Sequence, residues 1–202
     1  MESSGTSKGA ENPIDDVETQ LMLRFASGDQ KAYVELVELC QAGVIQYFVY
    51  LTRNRATAED LAQEVLIRIF QAGKGYQPKA RFRTYLFRIA RNLWIDHCRR
   101  EQHSAKNVSL DAADENGNGL RGTLAAAEPA GSSANASAER DLIHRAIEQL
   151  PVEQREVVLM SQIQGLLYEE VAEALEIPVG TVKSRMFHAL RRLREILERT
   201  MK

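Results

Sequence analysis

Apolar side chains recur at helical spacing along most of this 202-residue chain, and no stretch alternates apolar and polar positions for long enough to argue for a sheet, so the pattern predicts an all-α protein. In the first half the periodicity divides into helices over about 16–27, 29–53, 57–72 and 81–101, with Asp29 and Thr57 placed to cap the second and third. The last of these sets Phe82, Leu86, Ile89 and Leu93 on one side at core spacing. Between 104 and 137 the pattern stops. The chain turns there to Ala, Gly, Ser, Asn and Asp, with Pro129 and hardly any large apolar side chain, which cannot build a core. Periodicity returns near Ala138 with Leu142, Ile143, Ala146 and Ile147, then Val157, Val158 and Leu159. The reading is of two small helical domains joined by a flexible linker: a disordered tail at 1–14, a first domain at 15–103, the linker at 104–137 and a second domain at 138–202.

The second domain ends in a pattern with a specific use. Val171, Ala172 and Leu175 mark a short amphipathic helix; the segment Ile177-Pro178-Val179-Gly180 breaks it, because proline disfavours helix in the residue before it; and Thr181 stands where a side-chain oxygen can cap the next helix. In that helix Val182, Met186, Ala189, Leu190, Leu193 and Leu197 share one arc, opposite Thr181, Ser184, Arg185, His188, Arg191 and Arg192. A helix-turn-helix of this kind sets the first residues of its second helix against base edges in the major groove. Thr181, Ser184 and Arg185 are therefore the candidate base readers. Lys183, Arg191, Arg192 and Arg194 suit phosphate, with His188 on the same face. Taken alone, a basic amphipathic helix is an ordinary surface helix; the order of short helix, Pro-Gly break, Thr and cationic helix is what points to DNA.

Charge supports this only once it is resolved along the chain. The net charge of −2 conceals three cations against eight carboxylates in residues 1–50, six arginines against Asp96 alone in 81–100, and seven cations against Glu195 and Glu198 from Lys183 onward. Two separate cationic patches imply two contacts with a polyanion. Cys40 and Cys98 are too few for a disulfide framework, and His97, Cys98 and His103 lack the partners of a metal site, so neither metal nor cofactor is expected. No apolar run is read as a membrane span and no secretory signal is seen, which leads to an expected cytoplasmic location.

The helix over 81–101 has character on both sides. Opposite its core stripe, Phe87, Trp94 and Ile95 mix with Arg88 and Arg91. Exposed aromatics among arginines suit single-stranded nucleic acid, but packing of Phe87 and Trp94 against a neighbouring helix is the simpler account. The cations and Asn92 are harder to bury.

These residues carry a resemblance to a known family. The segment Ala58-Glu59-Asp60-Leu61-Ala62-Gln63-Glu64-Val65 resembles the core-polymerase-binding helix of the extracytoplasmic-function group of bacterial sigma factors. The run from Phe82 to Asn92 resembles that group's promoter-melting helix, and residues 169–185 resemble its minus-thirty-five reader. The resemblance implies that Asp60, Leu61, Gln63 and Glu64 meet core RNA polymerase. Asp60 and Glu64 share a helical face, which without the family would read as a solvated acidic face. It also implies that Arg83, Arg88, Arg91 and Asn92, with Tyr76, Lys79 and Arg81 of the preceding loop, meet the separated minus-ten strand. Thr181, Lys183, Ser184, Arg185, His188, Arg191 and Arg192 then meet the minus-thirty-five duplex. The chain departs from the family at Leu167, where a small polar cap is usual, and at Glu176, where glycine is usual. The linker acids Asp111, Asp114 and Glu115 either mimic nucleic acid in a basic channel or lie in a passive spacer.

The expected function is non-catalytic: a transcription initiation subunit that partners core RNA polymerase and promoter DNA, and an anti-sigma factor where one exists. No phosphate-cradling glycine loop or nucleophile-base pair suggests chemistry. The alternatives are a helix-turn-helix regulator that binds duplex operators without polymerase, and an adaptor that binds polymerase but starts no transcripts.

Overall fold

Asp16 opens the first helix, α1 (Val17–Ala26), by accepting the Thr19 N–H at 3.2 Å. Gly28, at φ 106°, then turns the chain so that Asp29 caps α2 (Gln30–Thr52) through the N–H groups of Lys31 and Ala32, as its position predicts. α3 (Arg55–Ala72) starts earlier than expected: Asn54 is the cap, its Oδ1 accepting the Thr57 N–H at 3.2 Å, so Thr57 lies inside the first turn. A short 3-10 turn (Gly73–Gly75) and a loop lead to α4 (Phe82–Asp111), whose first N–H, that of Phe82, is taken by Thr19 Oγ1 of α1 at 2.9 Å. The helix continues beyond the boundary expected at 103. Residues 104–111 contain neither glycine nor proline, so nothing in them stops propagation.

The computed structural model describes residues 16–111 and 142–200; the expected tail at 1–14 and the expected linker beyond Asp111 lie outside the described residues. The second domain comprises α5 (residues 142–148), α6 (Val152–Val158), α7 (Tyr168–Leu175) and α8 (Val179–Thr200). α6 passes into a π turn (Leu159–Ile163), closed by the Gln164 N–H on the Leu159 carbonyl at 2.9 Å. Every regular element among the described residues is helical.

α2 is the central element of the first domain. It is 23 residues long with a mean hydropathy of 1.3, enough by length and composition to cross a membrane, which corrects the expectation that no run comes near one. Its apolar residues have a nearer use: Leu36, Val44, Tyr47 and Phe48 are buried against α1, α3 and α4, together with Met22, Val65, Leu86 and Phe87. α4 also packs on α7, and the buried residues of the two domains form one continuous cluster that takes in Leu159, Val171 and Leu175. Domains expected to hang loosely on their tether are packed together. Helical periodicity reports which face of an element is apolar, not which partner covers it.

The two ends of α7 accommodate the two family departures. Leu167 has no side-chain acceptor for the start of α7, and Glu170 supplies the reciprocal bond instead, accepting the Leu167 N–H at 2.7 Å. Glu176 ends α7 in the left-handed region at φ 52°, ψ 45°. α8 then starts from Pro178, whose carbonyl accepts the N–H groups of Thr181 and Val182 at 2.9 and 3.2 Å. Thr181 is therefore within the first turn and is not its cap, because proline's fixed φ already suits a helix start.

A left-handed backbone costs a residue with a Cβ about 1 kcal/mol more than glycine. Glu176→Gly is accordingly expected to raise the unfolding free energy of the full chain by about that amount, read by urea denaturation. A destabilised variant would show that the Glu176 side chain contributes more than its backbone strain costs.

Candidate nucleic-acid interface

α8 turns Val182, Met186 and Ala189 inward, and this rotation sends Lys183, Ser184, His188, Arg191 and Arg192 to the surface. Thr181 and Arg185 are half-buried. Leu190, expected on the apolar arc, is 52% exposed: it lies at the rim of the stripe, beyond the reach of the elements that cover Ala189. Phe187, 65% exposed, also lies on the outer face and was not singled out by the pattern. His188, Arg191, Arg192 and Arg199 line one groove together with Gln149 and Gln154. Arg199 stands seven residues beyond Arg192, a helical repeat legible in the sequence; the two glutamines reach the groove only through tertiary packing. Arg191 and Arg194 make exposed ion pairs with Glu195 and Glu198 at 3.2 and 2.7 Å, weak enough to yield to phosphate.

In the first domain the seven residues assigned to the minus-ten strand are not equivalent. Lys79 and Asn92 are exposed, and the Arg88 guanidinium lies 5.6 Å from the centre of the Tyr85 ring. Tyr76 is half-buried against Phe82 and Tyr85, its phenol pushed up to about 12 by burial. The remaining three are engaged inside the molecule. Arg83 holds Glu18 at 2.7 Å and donates to the Gln164 carbonyl at 3.0 Å. Arg81 lies 3.6 Å from Glu170, and Arg91 lies 3.9 Å from Glu156. Phe87 is buried edge-on to Tyr47 with ring centres 5.4 Å apart, and Trp94 is partly buried beside His97, so packing is the account that holds for this pair.

Asp60 and Glu64 rim a groove between α3 and α4 that also contains Asp96, Arg99 and Arg100, and Gln63 is exposed nearby on α3. Glu64 is paired with Arg68 at 3.0 Å. Leu61 lines the same groove. At 6% exposure it is part of the core, because it lies on the inward side of α3 with Ala58, Ala62 and Val65.

Glu156 on α6 is the pivotal acidic group, and nothing in the local sequence singled it out. It accepts a hydrogen bond from the Tyr47 hydroxyl at 3.3 Å and lies beside Arg91 of α4. Burial pushes its carboxyl above the usual carboxylate range, more than Arg91, Tyr47 and Arg185 draw it down. It thus feels an arginine from each of the two basic helices, Arg91 on α4 and Arg185 on α8.

Two helical domains, each presenting a basic helix and the second built as a helix-turn-helix, define a DNA-binding transcription factor of bipartite design. Residues 36–104 match the family model for sigma-70 region 2, and residues 140–193 match that for sigma-70 region 4. The RNA polymerase sigma-H factor of Pseudomonas aeruginosa is 30% identical over 84% of this chain and 88% of its own length. The ECF RNA polymerase sigma factor SigW of Bacillus subtilis is 33% identical over 84% of this chain and 91% of its own. In fold the chain is similar to the sigma factor RpoE solved with the anti-sigma factor NepR from Bartonella quintana, with a TM-score of 0.69, 22% identity, and coverage of 83% of this chain and 98% of that one. The chain belongs to the extracytoplasmic-function sigma factors of the sigma-70 family, the subunits that bind core RNA polymerase and direct it to promoters.

The raised carboxyl of Glu156 has a calculable sign. An acid whose folded pKa exceeds its unfolded value, here ordinarily 4.5, is bound to its proton more tightly when folded, so stability falls as pH rises from the ordinary range through the raised value and then levels. Tyr47, Arg91, Arg185 and Glu153 are the groups that set this value. Glu156→Gln removes the titration. The unfolding free energy of wild type minus that of the variant is expected to decline as pH rises above the ordinary carboxylate range, and then to level. A difference that rises with pH would mean that the ion pair with Arg91 outweighs burial.

Proposed function

We propose that the two basic helices divide promoter recognition between them, α8 reading the minus-thirty-five duplex and α4 with its preceding loop holding the separated minus-ten strand. The observation that carries this reading is the outward placement of Lys183, Ser184, His188, Arg191 and Arg192 on one face of α8, in the second helix of a helix-turn-helix. Thr181, Ser184 and Arg185 stand in the first turns of that helix, where side chains meet base edges; the later cations meet phosphate. On α4, Arg88, Arg91 and Asn92, with Arg83, Tyr76, Lys79 and Arg81, receive the unpaired strand. Binding of that strand drives melting, so the chain needs no nucleotide hydrolysis and acts without catalysis. Asp60, Leu61, Gln63 and Glu64 form the contact with core polymerase, a largely acidic face offered to a basic one.

The protein acts in the cytoplasm, where polymerase and promoters are. Regulation by an anti-sigma factor is part of this reading, supported by the solved complexes of similar fold, which pair RpoE with NepR and CnrH with the cytosolic domain of CnrY.

Run-off transcription with purified core enzyme tests the division of labour. Arg185→Ala is expected to cost about 1–3 kcal/mol of upstream recognition, roughly 5- to 150-fold in promoter affinity, with core binding unchanged. Loss of core binding in the same variant would refute the separation of roles. A chain that binds core polymerase but starts no transcripts would establish the adaptor alternative.

A further inference from the structure

The stripe of α8 that carries the candidate base readers runs on far past them. Thr181, Arg185, His188, Arg192 and Arg199 follow one another at intervals of four, three, four and seven residues, a straight line about 27 Å long at about 1.5 Å per residue. The major groove of B-form DNA is only about 12 Å wide and about 8.5 Å deep. A helix that enters it by its first turns, as the second helix of a helix-turn-helix does, therefore carries its last turns out over the phosphate backbone that borders the groove.

The outer half of the stripe is one wall of an open surface groove of about 460 Å³. His188, Arg192 and Arg199 line it from α8, while Gln149 and Gln154 line it from either side of the turn that joins α5 to α6. Its one carboxylate, Glu195, is held by Arg191 at 3.2 Å. Pockets for small molecules are concave and mainly apolar, whereas this groove is open, polar and cationic, which suits a chain of phosphates. Gln154 adds an independent observation: its Oε1 is buried and has no hydrogen-bond partner. An acceptor of that kind, in a groove with guanidinium donors, is satisfied when one of them turns to it, and the nitrogen of the same amide can then donate to a phosphate oxygen.

We propose that this groove seats the phosphate backbone flanking the minus-thirty-five element, with Arg199 neutralising a phosphate and Gln149 and Gln154 acting as positioning residues that hold the strand and the arginines in register. The inference rests on the duplex-reading role given above to α8. It adds a contact made from outside the helix-turn-helix, by α6 and the turn before it. Phosphate contacts fix where a protein sits without reading bases. The groove thus sets the depth and angle at which Thr181, Ser184 and Arg185 reach the base edges.

The test uses holoenzyme assembled from core polymerase and the full-length chain, with duplex fragments that the wild-type holoenzyme recovers from a randomised pool. Each fragment is compared with a copy scrambled over its minus-thirty-five element, and affinity is measured across a range of salt. Arg199→Ala is expected to reduce the slope of log affinity against log salt by about one. The advantage of wild type over this variant then shrinks about threefold between about 50 and 200 mM salt, while the ratio between matched and scrambled fragments stays as in wild type. Arg199→Lys should restore the slope, which a merely structural role would not do. Gln149→Ala combined with Gln154→Ala is expected to weaken matched and scrambled fragments alike, by about tenfold, with the slope unchanged because neutral amides displace no counterions. Three outcomes overturn the proposal: an unchanged slope in Arg199→Ala, a loss confined to matched fragments, or full affinity in the double glutamine variant. The underlying reading is checked separately. Arg185→Ala that keeps the wild-type ratio between matched and scrambled fragments would refute the role of α8, whatever the groove does.

Discussion

A guanidinium removed from water must have a carboxylate or carbonyl beside it, and the arrangement of this molecule follows from how that requirement is met. Arg83, Arg91 and Arg155 are all wholly or partly withdrawn from solvent, and each is answered at least in part from a distant part of the chain: Arg83 by Glu18 and the Gln164 carbonyl, Arg91 by Glu156, Arg155 by the Tyr50 carbonyl beside the nearer Glu148 and Leu150 carbonyls. Arg155 is held below its ordinary pKa by burial and by neighbouring Arg53, yet a guanidinium keeps its proton at any physiological pH. Separating the domains would take away only the Tyr50 carbonyl, since Glu148 and Leu150 belong to the same domain as Arg155. The contact between domains thus joins a polar part, which solvent can replace, to the apolar cluster that α4 and α7 share, which only another apolar surface could replace.

This distinction explains what could be read from the sequence. Helix positions, the Asp29 cap, the left-handed Glu176 and the outward cations of α8 follow from interactions within a few residues, and those are what periodicity and capping rules encode. Even locally, competition blurred the ends. Asn54 displaced Thr57 and Pro178 displaced Thr181, because several residues near each start were able to serve. Leu190 failed for another reason. It lies near the edge of an apolar stripe, and which side of the edge becomes core depends on the neighbouring helix. The contacts between the domains left little trace in the pattern: Gly43 with Gln164, Tyr50 with Arg155 and Tyr47 with Glu156 are separated by more than 100 residues, and of these only Gly43, a helix-disfavouring residue inside α2, stands out locally.

The charge segregation that first suggested DNA binding also has a second meaning once the fold is known. Glu18 belongs to the acidic opening segment and neutralises Arg83 of the basic helix, so part of the surplus of carboxylates in residues 1–50 serves the cationic patch directly. Cations already paired in this way attract fewer counterions than free ones, and affinity for a polyanion arises largely from the counterions released on binding.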